Sequence, residues 1–419
     1  MKEKYRCIYF YLIIVLILLL TACNQSTPAN QTIDQHSLEK PSSTLETAPE
    51  TNLTDLSQKP TLSELPQTKP DVKFKLPYTI DSITIKNDIL ERNTIVSSYK
   101  NDNDIVIFSR DFSTTDEMEM EIIQFDTKKN TYVSQYRAAK GMIINTLVSV
   151  GDDLFWVENP SHSPDNNTPW KMMRLKRDDL EASPTIFTEG ISEDQIAVPV
   201  LRTYQDEISW IEKKINNKIV KNEAFIYNVK SNIKTKVTTQ LLNEKTKNKK
   251  GIFLDLQRPV NEGLLIQQTV FGDKDANTEK RFDIVMYPKD HSEPELIIKD
   301  REDIYDFTAN EQWIVLTTES TTEILDRNTK KLIYTIVHDS SLLGGYSPFL
   351  LENQLIYKQS PYIMAVDLTT GHKQRVINKE GSYTSIYNFG DILTFTRMEY
   401  EKDRTQAELF FIHLNAKDQ

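Results

Sequence analysis

Short apolar stretches separated by polar turns recur along the chain from residue 78 onward, and each turn is followed by two apolar residues in alternation. Alternation over such short stretches predicts β-strands rather than helices. Two copies of the pattern are nearly identical, because Asp153–Glu158 reads DLFWVE and Glu207–Glu212 reads EISWIE. We find no long amphipathic helical pattern and therefore expect very low helical content.

The polar turns between these stretches are rich in Asp, Asn, Glu and Gln, and they lie at 101–104, 151–153, 205–207, 261–263, 310–312, 352–354 and 390–391. A second strand in several units ends in Asp before a polar tip, as at Asp126, Asp326 and Asp367. Asp suits such tips because its side chain hydrogen-bonds the backbone nearby. Each unit thus holds about four strands, a unit typical of a β-propeller blade. We predict an all-β propeller with seven four-stranded blades, although six or eight also fit.

The last unit contains only three strands, ending with Phe410–Leu414. Residues Tyr78–Ile85 have the composition of a strand and precede the first complete unit. We predict that this strand completes the last blade and closes the ring, which removes an open sheet edge. An open solenoid and two separate β domains are the alternatives.

The first 22 residues have the organisation of an export signal. Lys2, Lys4 and Arg6 precede an apolar run, Ile8–Leu20, that is shorter than the roughly 20 residues needed to span a bilayer. The run Leu20–Cys23 (LTAC) resembles the lipobox of bacterial lipoproteins. The resemblance implies cleavage between Ala22 and Cys23 and a diacylglyceryl thioether on Cys23.

Two acyl chains on Cys23 would anchor the protein stably to a membrane. We therefore expect a lipid-anchored protein on the extracytoplasmic face of the cell membrane. The abundance of Lys, Asn and Ile points to a Gram-positive bacterium. An uncleaved signal anchor with an incidental Cys is the alternative.

Residues 23–76 are predicted to be a disordered tether between the anchor and a propeller domain at 77–419. The segment 24–73 has no aromatic residue and is rich in Ser, Thr, Gln and Pro. Such a composition buries too little apolar surface to offset the entropy of folding.

Composition narrows the function further. The net charge of −11 argues against nucleic acid as a partner, because phosphate binding needs a basic face. The chain has only two Cys, and Cys7 falls in the predicted signal peptide. A disulfide framework and a Cys-rich zinc site are therefore excluded.

The body of the chain looks like the seven-bladed propellers of bacterial lipoproteins. Residues Ala365–Gly371 (AVDLTTG) are similar to the turn of quinoprotein-type blades. Arg375 stands where that family places a Trp, so the resemblance does not imply the quinone cofactor. We expect no cofactor.

Local motifs of catalysis and metal binding are missing from the sequence. The six His are scattered, at positions 36, 162, 291, 338, 372 and 413. The segment 273–279 begins like a calcium loop, but Thr278 replaces the required Gly and Ile284 the final Glu. We interpret it as a solvated hairpin loop, and the basic run 245–250 as a loop tip. No metal site is expected.

Tryptophans at strand positions, Trp156, Trp210 and Trp313, are predicted to lie in the core between blades. Trp170, which follows the long polar loop 161–169, and Tyr346 are candidate partner-binding residues, because long loops on rigid β scaffolds often carry recognition.

The function predicted from the sequence is a non-enzymatic, lipid-anchored module that binds or scaffolds a protein, a peptide or a cell-wall glycan. The alternative is an extracellular glycan hydrolase or lyase that uses two loop carboxylates at the mouth of the propeller.

Overall fold

The structure is a computed structural model that describes residues 79–85, 95–100, 105–113, 117–163, 167–176, 183–193, 196–243, 250–272, 280–338, 344–388, 392–401 and 404–413. All of these residues belong to one compact unit, Asp55–Gln419. The predicted signal peptide, Cys23 and the tether lie outside the described residues, as does the 273–279 loop. In the described part of the chain, no helix is long and apolar enough to cross a membrane.

β-Strands dominate the described residues, which include no helix. The first strand is β1 (Thr79–Ile85). Then come β2 (Ile95–Lys100), β3 (Ile105–Asp111), β4 (Met120–Asp126), β5 (Thr131–Arg137), β6 (Met142–Val150), β7 (Asp153–Pro160), β8 (Thr168–Lys176) and β9 (Thr185–Ser192). The middle of the chain forms β10 (Arg202–Tyr204), β11 (Glu207–Asn216), β12 (Ile219–Asn228), β13 (Ile233–Asn243), β14 (Lys250–Val260), β15 (Gly263–Phe271), β16 (Lys280–Pro288) and β17 (Glu295–Arg301). The remaining strands are β18 (Asp306–Ala309), β19 (Trp313–Thr317), β20 (Thr321–Asp326), β21 (Leu332–Val337), β22 (Gly344–Leu351), β23 (Gln354–Gln359), β24 (Tyr362–Asp367), β25 (Lys373–Arg375), β26 (Ser382–Tyr383), β27 (Tyr387–Asn388), β28 (Ile392–Glu401) and β29 (Arg404–His413).

Strands that follow one another in sequence pair antiparallel, four to a group. Four groups are separate four-stranded sheets: β2–β5, β6–β9, β18–β21 and β22–β25. Strands β10 to β17 form one eight-stranded sheet, whose halves are joined by only two residue pairs, Leu242 with Gly251 and Asn243 with Lys250. Gly251 has a φ of 126°, and a Cβ there would lie 2.1 Å from the carbonyl oxygen of Leu241, so this junction requires glycine.

The last sheet combines the two ends of the described chain. β1 pairs antiparallel with β29 along its full length, from Thr79 opposite His413 to Ile85 opposite Ala407. The ladder continues from β29 to β28, and β26 and β27 pair with β28. This ladder confirms the pairing that the sequence predicted for the strand at Tyr78–Ile85.

Buried apolar side chains form clusters between consecutive groups of strands. Phe155 of β7 packs with Trp210 of β11, for example, and Leu265 of β15 packs with Phe307 of β18. Another cluster joins Phe411 of β29 to Phe108 of β3, so side chains of the last sheet pack against those of the first complete group. Four-stranded antiparallel sheets that pack face to face in chain order are typical of a β-propeller.

The tryptophans at strand positions lie in these clusters, as predicted. Trp156 and Trp210 are fully buried, and Trp313 is 6% exposed. The indole Nε1 of Trp313 donates a hydrogen bond to Asn353 Oδ1 of the neighbouring group at 2.9 Å. These residues therefore stabilise the packing between sheets.

The predicted Asp-capped tips recur between the third and fourth strands of three groups. Asp126 Oδ1 accepts hydrogen bonds from the backbone N–H groups of Lys128 and Lys129. Asp326 and Asp367 bind the backbone of the residues that follow them in the same way. These bonds lower the pKa of all three carboxyl groups.

Candidate functional site

A cavity of about 1130 Å³ opens at one end of the strands. Its wall is formed by the ends of first strands of the groups and, in five cases, by the turn that follows. The lining segments are 148–152, 201–206, 258–262, 308–312, 347–353 and 386–388. Five of them include a polar turn identified in the sequence, so repeated turns that are distant in the chain converge on one space.

Carboxylates from these turns give the cavity an acidic rim. The rim residues are Asp152, Asp206, Glu262, Glu311 and Glu352. Glu262 Oε1 accepts a hydrogen bond from Arg327 Nη1 at 2.7 Å, which ties this carboxylate to the neighbouring group. Burial raises the pKa of the Tyr204 hydroxyl, and the nearby carboxylates of Glu262 and Glu311 raise it further.

Two arginines lie deeper in the lining, Arg202 on β10 and Arg258 on β14. Arg258 has protein partners, since Nη2 donates to Asp306 Oδ1 at 2.6 Å and Nε donates to the carbonyl oxygen of Phe307 at 3.0 Å. Asp306 also accepts the backbone N–H of Ser347 at 3.1 Å, so it joins β14, β18 and β22. The charge of Arg258 is thereby neutralised by protein.

Arg202 has a different environment. Among the described residues, none forms a hydrogen bond or ion pair with its guanidinium. Burial, together with the neighbouring charge of Arg258, lowers the pKa of Arg202 to about 10, while Asp306 and Tyr387 act in the opposite direction. A guanidinium of this pKa is still protonated at neutral pH, so Arg202 presents a positive charge to the cavity.

A further polar group without a partner lies beside β10. The backbone carbonyl of Asn388 accepts a hydrogen bond from Thr203 Oγ1, which fixes β27 against β10. The side-chain oxygen Oδ1 of Asn388 is buried and has no hydrogen-bond partner in the described part of the chain. The lining therefore contains one cation, on the third group of strands, and one buried amide oxygen, on the last group, that have no partner among the described residues.

Backbone conformation at the cavity is also unusual. Gln205, Ser347 and Glu352 have positive φ angles of 50–51°, a conformation that non-glycine residues rarely adopt. Gly151, in the equivalent turn of another group, has a φ of 56°. Positive φ angles also occur at turns away from the cavity, such as Asn130 and Lys330, so they reflect turn geometry.

Three carboxyl groups outside the cavity are affected by burial. Burial raises the pKa of Glu158, Asp255 and Asp283, and none of the three lines the cavity. In the part of the chain that the structure describes, no three or more His, Cys, Asp or Glu side chains are grouped as metal ligands would be.

The residues that the sequence singled out for binding are not brought together. Trp170 lies in β8, is only 3% exposed and packs in the same cluster as Trp210. This burial does not support a role in partner contact, and the loop before Trp170 follows the end of β7 farthest from the cavity turn at Gly151. Tyr346 lies in β22 next to the cavity-lining Ser347, and its side chain is outside the described part of the structure.

Sequence reasoning missed Arg202, Arg258 and Asn388. The only local signal is that Arg202 and Arg258 each stand three residues before a polar turn. An arginine in a short strand is usually solvated, so this signal does not distinguish a cavity residue from a surface one.

No protein-family model matches the chain, and no curated protein matches it significantly. Among solved structures it is similar to the β-propeller domain of the Trilobed protease from Pyrococcus furiosus, with 12% identity over 77% of this chain and 95% of that chain and a TM-score of 0.49. The AfRom2 CNH domain is 7% identical over 79% and 98%, with a TM-score of 0.47. Oligogalacturonate lyase in complex with manganese is 12% identical over 81% and 96%, with a TM-score of 0.45. At these scores and identities nothing follows for the function of this chain.

Proposed function

We propose that this protein is a lipid-anchored, extracytoplasmic seven-bladed β-propeller that binds a ligand in the cavity formed by its repeated turns. The observation that carries the proposal is the convergence of six lining segments on one cavity of about 1130 Å³. A concave space of this size, lined by polar and charged groups from several strands, is a candidate ligand site.

The seven-bladed ring is supported by the packing of the strand groups. Seven apolar clusters connect consecutive groups, and the series includes one between β28–β29 and β3–β4. The eight-stranded sheet counts as two blades because only two residue pairs join its halves. With β1 as the fourth strand of the last blade, seven blades account for all described strands.

Binding, rather than catalysis, is proposed because the cavity lining presents a cation, Arg202, that can hold an anionic ligand. The acidic rim is the one observation that favours the second candidate, a glycan hydrolase or lyase, because such enzymes use paired carboxylates.

Membrane attachment is supported by the sequence Leu20–Cys23 and by the tether. The test is fractionation of cells that express the full chain. We expect the native protein in the membrane fraction and the variant Cys23→Ala outside it. A Cys23→Ala variant that stays in the membrane through an uncleaved signal would contradict the lipid anchor.

The cavity is tested with the detergent-solubilised full chain. The probes are a mixed tetrapeptide library and soluble peptidoglycan fragments, and the retained compounds are identified by mass spectrometry. Gln312→Trp places an indole at the wall of the cavity, while Gln374→Trp on β25 is the matched control outside the lining. If the native chain and Gln374→Trp retain a compound that Gln312→Trp does not retain, the compound is a cavity ligand. If Gln312→Trp retains it equally well, the proposal is contradicted. Shortened glycan products would favour the enzyme.

A further inference from the structure

We propose that Arg202 captures the free C-terminal carboxylate of a peptide whose preceding residues are basic. This inference rests on the proposed function, since it names the ligand class of the same cavity. It follows from the difference between the two arginines of the lining and from the charge of the rim above them.

Arg202 is the group able to bind an incoming anion. Asp306 and the Phe307 carbonyl already occupy Arg258, whereas within the described chain no partner occupies Arg202. A guanidinium presents parallel N–H donors that match the two oxygens of a carboxylate, and such charge-assisted pairs are the strong hydrogen bonds of proteins. A desolvated guanidinium without a partner is costly, so a bound carboxylate relieves a cost that the free protein carries.

Asn388 lies in the same lining. Its Oδ1 is buried and has no hydrogen-bond donor among the described residues. The last peptide N–H of a chain lies close to its terminal carboxylate and is a donor of the required kind. A C-terminus therefore brings to this cavity both an acceptor for Arg202 and a donor for Asn388.

The acidic rim selects between carboxylate sources. A polyuronate glycan carries a carboxylate on each sugar. If one of them binds Arg202, the others lie near the carboxylates of the rim and are repelled by them. A peptide has one terminal carboxylate, and its earlier side chains are free to be Lys or Arg. Opposite charges at the rim then attract, which favours a basic peptide over a polyuronate.

The experiment is calorimetric titration of the detergent-solubilised full chain with three probes. They are the peptide Lys-Lys-Ser-Gly-Ala with a free carboxylate, the same peptide with a C-terminal amide, and trigalacturonate. We expect the free acid to bind at least about tenfold more tightly than the amide, from the strength of a charge-assisted pair. We also expect it to bind more tightly than trigalacturonate. Equal affinity for acid and amide, absence of binding of the acid, or preference for trigalacturonate would each overturn the inference.

Arg202→Gln is expected to abolish the preference for the free-acid peptide over the amide. The control is Arg375→Gln, because Arg375 stacks on Tyr362 outside the cavity, and it should leave this preference intact. If Arg202→Gln does not fold, the comparison of acid and amide on the native chain still decides. Suppose that the peptide binds equally as acid and amide, and that Gln312→Trp prevents its binding. The proposal of a cavity ligand would then stand, but the proposal that Arg202 captures a terminal carboxylate would be refuted. Binding of the peptide that Gln312→Trp does not weaken would refute both.

Discussion

Arg258 Nη2 lies 2.6 Å from Asp306 Oδ1, an ion pair that connects the first strands of two neighbouring groups. Both side chains are largely buried, at 18% and 13% exposed. The negative charge of Asp306 also favours the protonated form of Arg202. The pair thus both supports the fold and leaves Arg202 as the available cation.

Asp306→Asn should destabilise the protein, because it leaves two buried arginines without a neutralising charge. We expect a loss of about 2–3 kcal/mol in the free energy of unfolding, measured by denaturant titration. Glu302→Gln, at an exposed position nearby, should change it by less than about 0.5 kcal/mol. In a double-mutant cycle with Arg258→Gln, the double variant should lose less unfolding free energy than the sum of the two single variants, by about 1 kcal/mol or more. Strict additivity would show that the pair is not coupled.

Ile85→Ala should show that the N-terminal strand is part of the last blade. Ile85 is 1% exposed and packs with Phe108 and Phe411 in the cluster between the first and last sheets. Removal of its side chain should cost about 2–5 kcal/mol of unfolding free energy, as for other buried aliphatic residues. Thr84→Ala, on the exposed side of the same strand, should cost far less. Equal, small effects of the two changes would mean that β1 is not packed in the native protein.

Much of the fold was predictable because its signals are local. Alternating apolar residues, polar turns and Asp-capped tips are each encoded within a few residues, as at Asp126 and Asp367. The pairing of β1 with β29 was also predictable, because a three-stranded last unit implies a missing strand.

The site was not predictable in the same way, because it depends on residues that are distant in the chain. Thr203 bonds the carbonyl of Asn388, 185 residues away, and Asp306 binds Arg258 and the backbone of Ser347. No local pattern marks such contacts. Trp170 was predicted to contact a partner because it follows a long polar loop, but it lies within β8 and its indole packs against Gly190 of the neighbouring strand.

Gly190→Ala should test this position of Trp170. Gly190 lies directly opposite Trp170 on β9, and a Cβ at Gly190 would lie 2.6 Å from Cζ2 of the indole. The clash should cost about 1–3 kcal/mol of unfolding free energy, as other overpacked cores do. In Trp170→Phe the smaller ring should leave room for the methyl group that Gly190→Ala adds. The double variant should therefore lose less unfolding free energy than the sum of the single variants. A Trp170 that served only partner contact would leave the stability of Gly190→Ala unchanged.

His338 should make the protein less stable in mild acid. It is 4% exposed, and its Nε2 lies 2.8 Å from Thr322 Oγ1. Burial, with a smaller effect from Lys373, lowers the pKa of His338 to about 4, below the ordinary value of 6.5. Above pH 6.5 the residue is neutral in both the folded and the unfolded chain, so it adds no pH dependence. Between pH 6.5 and 4 only the unfolded chain takes up the proton, and stability falls by up to about 3 kcal/mol.

The contribution of His338 is isolated by comparison with a variant that cannot titrate. His338→Gln should flatten the decrease of unfolding free energy between pH 6.5 and 4, measured by denaturant titration at each pH. His162→Gln, at an exposed position, should retain the slope of the native chain. Other groups also titrate in this range, but they are common to all three proteins, so the difference in slope belongs to the histidine. Parallel curves for His338→Gln and the native chain would mean that His338 is protonated equally in the folded and unfolded states.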